Sequence, residues 1–191
     1  MVLDWLWNLI GVGGNPTHSW EERQEVVLLL DLDKHQLSGV GVGEPLQGLY
    51  FLGRGTDMGN HIEWPAKGLR VHVIDGSLFE VTISFGHADD EEDEIRKFPG
   101  RIVYRGETQR FTCRTHRDEL IRLLGEPYWI DEIIDDEYGD EAILFYEFGP
   151  VEWQIELGSD HCLRNITLSP PLLADPAARA GYKVTKPWPP K

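Results

Sequence analysis

The sequence predicts an α+β protein built from two related units, each a strand pair, one short helix and a three-stranded antiparallel meander. Three observations point there. Apolar and polar residues alternate through several short runs, as in Leu69, Val71 and Val73 around Arg70 and His72. Turn pairs such as Asp75-Gly76 separate these runs. The same order of elements then recurs in the second half.

The chain has 191 residues, of which 41% are hydrophobic, enough for one domain or two small ones packed together. It divides into an N-terminal helix and linker (1–24), a first unit (25–88), an acidic linker (89–100), a second unit (101–169) and a Pro-rich tail (170–191).

Leu3, Leu6, Trp7 and Ile10 fall at helical spacing and predict an amphipathic helix over 2–10, ended by the breaker cluster from Gly11 to Pro16. Two uses are open to it: docking on the body of the protein, or anchoring at a membrane interface. Asp4 is its only charge, and the lack of Lys or Arg disfavours the anchor. The segment is too short to span a bilayer and lacks the basic start of a signal peptide, so the expected compartment is the cytoplasm.

Val26 to Leu30 has the composition of a buried strand, and 36–42 reads as its partner. Pro45 and Gly53 bracket a short helix. Strands near 61–65, 69–74 and 78–85 complete the first unit. In the second, Arg101 to Arg105 and Gln109 to Cys113 flank a Gly106-Glu107 turn. Thr115 and Asp118 suggest a capping box opening a helix that Gly125 ends. Strands at 142–148, 151–157 and 162–168 follow. Ile62 to Val73 matches Leu144 to Ile155 without a gap, and Ile83 to Phe85 matches Ile166 to Leu168. The tail, with six prolines and four basic residues, predicts an extended or disordered arm able to lie on an acidic surface.

The net charge is −15, which repels nucleic acid and anionic membranes. Thirteen of the 33 acidic residues sit in two segments. One is the linker with Asp89, Asp90, Glu91 and Glu92. The other is a stretch, longer in the second unit than in the first, carrying Asp131, Glu132, Asp135, Asp136, Glu137, Asp140 and Glu141. No Lys or Arg occurs between Leu123 and Leu163. These acids are the candidate contacts for a basic protein partner.

Catalytic patterns are lacking. Gly39-Val-Gly-Val-Gly43 has neither the Lys-Ser/Thr of a phosphate loop nor dinucleotide spacing. The acids of 131–140 miss the alternation of a calcium-binding loop. The seven histidines form no zinc motif, and His161 and Cys162, adjacent on a strand, point to opposite faces. Two cysteines make no disulfide framework. Neither a catalytic residue, a cofactor nor a metal is expected.

The run from Asp33 to Pro45, with Leu49 to Gly53, Leu120 to Pro127 and Glu147 to Trp153, resembles uncharacterised small acidic bacterial proteins, some of them immunity proteins of polymorphic toxin systems. The resemblance covers residues 25–170 loosely. It implies a non-enzymatic protein-binding module, in its narrow form an inhibitor of a basic toxin. The helix and meander also look like outer-membrane-assembly lipoprotein domains, but the lipoprotein signal is missing. The alternative is a structural or regulatory domain acting through sheet edges or through an aromatic patch of Trp64, Tyr146 and Trp153. An enzyme is the least expected. It would need a deep pocket holding at least two of His72, His161 and Cys113.

Overall fold

A computed structural model describes residues 15–86, 96–133 and 141–191. In the first half, β1 (Leu29–Asp31), β2 (Gln36–Leu37) and β3 (Val40–Gly41) lead to a 3-10 turn at Leu46–Leu49. Strands β4 (Thr56–Asp57), β5 (His61–Trp64), β6 (Leu69–Ile74) and β7 (Ser77–Ser84) follow. The second half has β8 (Arg101–Tyr104), β9 (Glu107–Gln109), helix α1 (Arg117–Leu124) and strands β10 (Trp129–Ile133), β11 (Glu141–Phe148), β12 (Val151–Leu157) and β13 (Leu163–Ser169). A further 3-10 turn (Leu172–Ala174) and helix α2 (Pro176–Gly181) close the chain.

These strands form two sheets, giving a strand-rich α+β fold. The large sheet is antiparallel throughout, in the order β10-β11-β12-β13-β7-β6-β5-β4. The small sheet has the order β3-β2-β1-β8-β9, with β1 and β8 parallel. Both sheets therefore join strands from the two halves.

Alternation explains the layering. One face of the large sheet presents Ile62, Val71, Ile83, Ile166, Ile155 and Leu144, all buried. They share one apolar cluster with Leu30 and Leu37 of the small sheet, Leu49 of the first 3-10 turn, and Leu120 and Leu124 of α1. Trp153 ties the sheets together. It is 1% exposed, its indole N–H donates to His35 Nδ1 at 3.0 Å, and Tyr104 meets it edge-on. Burial holds the His35 imidazole below its usual pKa, so its Nδ1 keeps the lone pair that this bond needs. The opposite face is a row of mainly polar residues: Glu63, Arg70, Thr82, Thr167 and Gln154, ending in Phe145.

Several elements depart from the sequence reading. Val26 and Val27 lie outside the strand and are exposed, 61% for Val27. The helix over 45–53 is only the 3-10 turn, in which Gly48 packs against Val40: a Cβ there would lie 2.5 Å from Val40 Cγ2. His116, not Thr115, caps α1, its Nδ1 accepting from Asp118 N–H. Thr115 instead closes the preceding turn, accepting from Thr112 N–H. The hairpin turn is Arg105-Gly106, both at positive φ, rather than Gly106-Glu107. Each meander gains a fourth strand, β4 or β10.

The ungapped match of the halves does not carry into the ladders. Ile62 pairs with Val71, but Leu144 pairs with Ile155 rather than Trp153. The cause is the connection: the first hairpin spends Pro65 to Gly68 on a 3-10 turn, whereas Gly149-Pro150 closes the second in two residues.

The tail is not disordered. It crosses the polar face over β10 to β12, placing Tyr182 on Phe145 and Trp188 on Tyr128. Asp175 caps α2 by accepting from Ala177 N–H. Among the described residues no helix is long and apolar enough to cross a membrane.

Candidate functional site

The acid-rich stretch falls at one end of the large sheet. Asp131 and Glu132 stand on β10, the terminal strand, and Glu141 opens β11 opposite Ile133. Asp135, Asp136, Glu137 and Asp140 belong to the segment joining β10 to β11. They lie outside the described residues, as do Asp89, Asp90, Glu91 and Glu92.

Alternation sends the two described β10 acids to opposite faces. Glu132 meets Arg117 of α1 at 2.8 Å. Asp131 faces the tail, where burial and Glu132 raise its pKa and Lys183 lowers it. These two carboxylates are therefore partly neutralised by their own chain, Asp131 by the tail that the sequence left extended. Glu141 is exposed.

At the other end of β10 from that acid-rich connection, where the chain enters the β10–β11 ladder, lies a cavity of about 500 Å³. Glu126, Tyr128, Tyr146, Glu147 and Phe148 line it, with Lys186 and Lys191 of the tail on its rim. The tail is fastened there. Tyr128 OH donates to Pro187 O at 2.7 Å, Arg179 Nη1 donates to Tyr128 OH at 3.1 Å, and Lys186 Nζ donates to Tyr128 O at 2.6 Å. Tyr146 is anchored by its hydroxyl to Gly125 O.

Glu147 is the unusual group. It sits directly opposite Glu152 across the β11–β12 ladder. Glu152 is fully buried but satisfied, accepting from Gln154 Nε2 at 3.1 Å and from the N–H groups of Leu172 and Leu173. Glu147 Oε2 is shut from solvent and has no hydrogen-bond partner. Burial first, and the Glu152 charge second, push the Glu147 carboxyl up to about 7. An acidic group with unmet demand, set among aromatic rings, suits a cation: charge pairs with Glu147 and Glu126, and the ring faces add attraction.

The sequence reading missed Glu126, Glu147 and Glu152. A two-residue Gly149-Pro150 turn places 147 opposite 152, and that signal was present. The proposed aromatic patch is not on the surface: Trp64, Tyr146 and Trp153 are all buried. None of the three described cavities holds His72, His161 or Cys113. Among the described residues no group of three or more His, Cys, Asp or Glu is placed to hold a metal ion.

No protein-family model matches the chain, and no curated protein matches it. Among solved structures it is similar to a DUF4309 family protein, YjgB, from Bacillus subtilis, at 14% identity and a TM-score of 0.38 over 71% of this chain and 84% of that one. A superposition this loose carries neither fold nor function across.

Proposed function

We propose that the chain is a non-enzymatic protein-binding module for a basic partner, its narrowest form being an immunity-type inhibitor of a basic toxin. The observation that carries this reading is the cavity with the unpartnered Glu147 carboxylate oxygen, lined also by Glu126 and set where the chain enters β10, the terminal strand of the large sheet. A lysine or arginine side chain entering it would meet Glu126 and Glu147, while the acids of the β10–β11 hairpin would steer the approach. Lys186 and Lys191 are the chain's own competitors for that place. A cytoplasmic setting fits the free thiols of Cys113 and Cys162.

The two halves are further proposed to be related units. Each runs hairpin, short helical element, meander, and the central ladder is self-consistent about Ile83 opposite Ile166.

Fluorescence anisotropy of a labelled arginine-rich peptide, at low and high salt, tests the reading. The natural chain binds with an affinity that falls with salt. Paired Glu126→Gln and Glu147→Gln changes weaken binding roughly tenfold. Amide replacements of the acids at 131–141 mainly slow association. A cation also favours ionised Glu147, so affinity rises as pH passes upward through about 7. Binding that ignores salt, pH and both sets of substitutions rules the proposal out.

A further inference from the structure

The start of α1 and the start of β13 are laced together. His116 bridges to Cys162, Leu163 N–H donates to Thr115 O at 3.0 Å, and Arg117 N–H donates to His161 O at 2.9 Å. Ahead of His116 the chain makes a tight turn in which Thr115 N–H donates to Thr112 O at 2.9 Å, and Cys113 lies within it. Arg164 holds the two segments to each other. Its Nη1 donates to Cys113 O at 3.2 Å and to Cys162 O at 3.5 Å. Its Nη2 pairs with Asp160 at 2.8 Å, and Asp160 Oδ1 in turn accepts from Cys162 N–H at 3.0 Å. One guanidinium therefore grips the backbone of both cysteines that the chain contains. Both thiols are free and half-buried.

We propose that Cys113 and Cys162 are a site of reversible oxidation, closing on each other as a disulfide when the surrounding thiol–disulfide balance turns oxidising. The shared guanidinium and the His116 bridge hold the two backbones side by side. Neither cysteine belongs to a strand or a helix, so the small shifts that disulfide geometry asks for break no sheet ladder. The side chains converge as well. Burial first, then Asp160, raise the Cys162 pKa, and Cys113 adds to the rise, so each sulfur stands within reach of the other's charge. The oxidant is a small disulfide, with oxidised glutathione as the probe. Cys113, as thiolate, attacks one of its sulfurs, forming a mixed disulfide and expelling one glutathione thiolate. The Cys162 thiol then gives up its proton and attacks the Cys113 sulfur, expelling the second. Two electrons pass from the protein to the oxidant, and the two protons end on the two reduced glutathiones. Cys162 acts second because its raised pKa keeps it protonated at neutral pH.

The experiment equilibrates the full chain in glutathione redox buffers, with and without denaturing urea, then quenches with acid and maps the thiols by mass spectrometry. The folded chain gains one internal bond, between 113 and 162, and dithiothreitol reverses it. Half-oxidation comes in a buffer roughly tenfold more reducing than the unfolded chain requires, because the fold presents the two thiols to each other. This comparison uses the natural sequence, so it does not depend on a variant folding. Cys162→Ser, which removes the resolving thiol, stops at a single glutathione on Cys113. Three outcomes overturn the proposal. One is a glutathione on each cysteine with no internal bond, which means that the fold holds the sulfurs apart. Another is a disulfide between two copies of the chain. The last is half-oxidation of the folded and unfolded chains in the same buffer, which means that the fold contributes nothing to the pairing.

Discussion

Glu147 shows how one carboxyl can set the pH response of a fold. Like charges directly opposite in a ladder repel, and Glu147, itself half-buried, faces the fully buried Glu152. Its folded pKa of about 7 lies above the ordinary value of 4.5. An acid raised in this way contributes stability that is complete below about pH 4.5 and is lost as pH rises through about 7. Glu147→Gln therefore raises stability at pH 8 and changes little at pH 4. Urea denaturation of both proteins across that range measures it. An unaltered pH profile would show that Glu147 is not buried against Glu152. Position 147 opposite 152 was legible from the tight Gly149-Pro150 turn. Their burial was not, because both lie on the polar face of an alternating pattern, and that face is covered only by a tail whose prolines suggest an extended chain.

Among the elements, the long strands and the helix ended by Gly125 were read best, and the first short helix, the strand over 109–113 and the tail worst. Period-two alternation placed β6, β7, β12 and β13 within a residue or two of their bounds, since half-burial of a ladder writes itself directly into the residues. The first helix shrank to a single 3-10 turn in which Gly48 packs on Val40 with no room for a side chain. The tail failed because local composition cannot see Arg179 and Lys186 converging on Tyr128. Between β5 and β6 the chain turns on Gly68, at φ 52 with Arg96 O so close that a Cβ would lie 2.1 Å from it. Gly68→Ala meets both the left-handed backbone and the clash, and should cost roughly 2–4 kcal/mol in chemical denaturation. A cost below about 1 kcal/mol would mean that the 96–98 stretch does not pack there.

At the scale of the molecule, the two sheets share one core and Trp153 is its joint. Trp153→Ala removes a fully buried ring, its contacts with Tyr104 and His35, and its hydrogen bond across the sheets. A loss of about 3–5 kcal/mol is expected, with fluorescence and circular dichroism following one common unfolding transition. Separate transitions for the two probes would mean that the sheets are independent. The strand-rich α+β character was legible in the sequence, but the joining of both meanders in one sheet was not. Nothing local marks β7 and β13 as partners, and their meeting depends on packing across the whole fold.

That meeting has a consequence for how the chain is made. Thr82 and Thr167, bonded across the central ladder, are 85 residues apart, roughly 4 to 17 seconds of synthesis at ordinary ribosomal speeds. Through that interval the nascent first half carries a bare strand flank whose proper mate has not been translated. On a crowded polysome the nearest available mate belongs to another copy, so exchange of β13 between chains is the characteristic misassembly of this architecture.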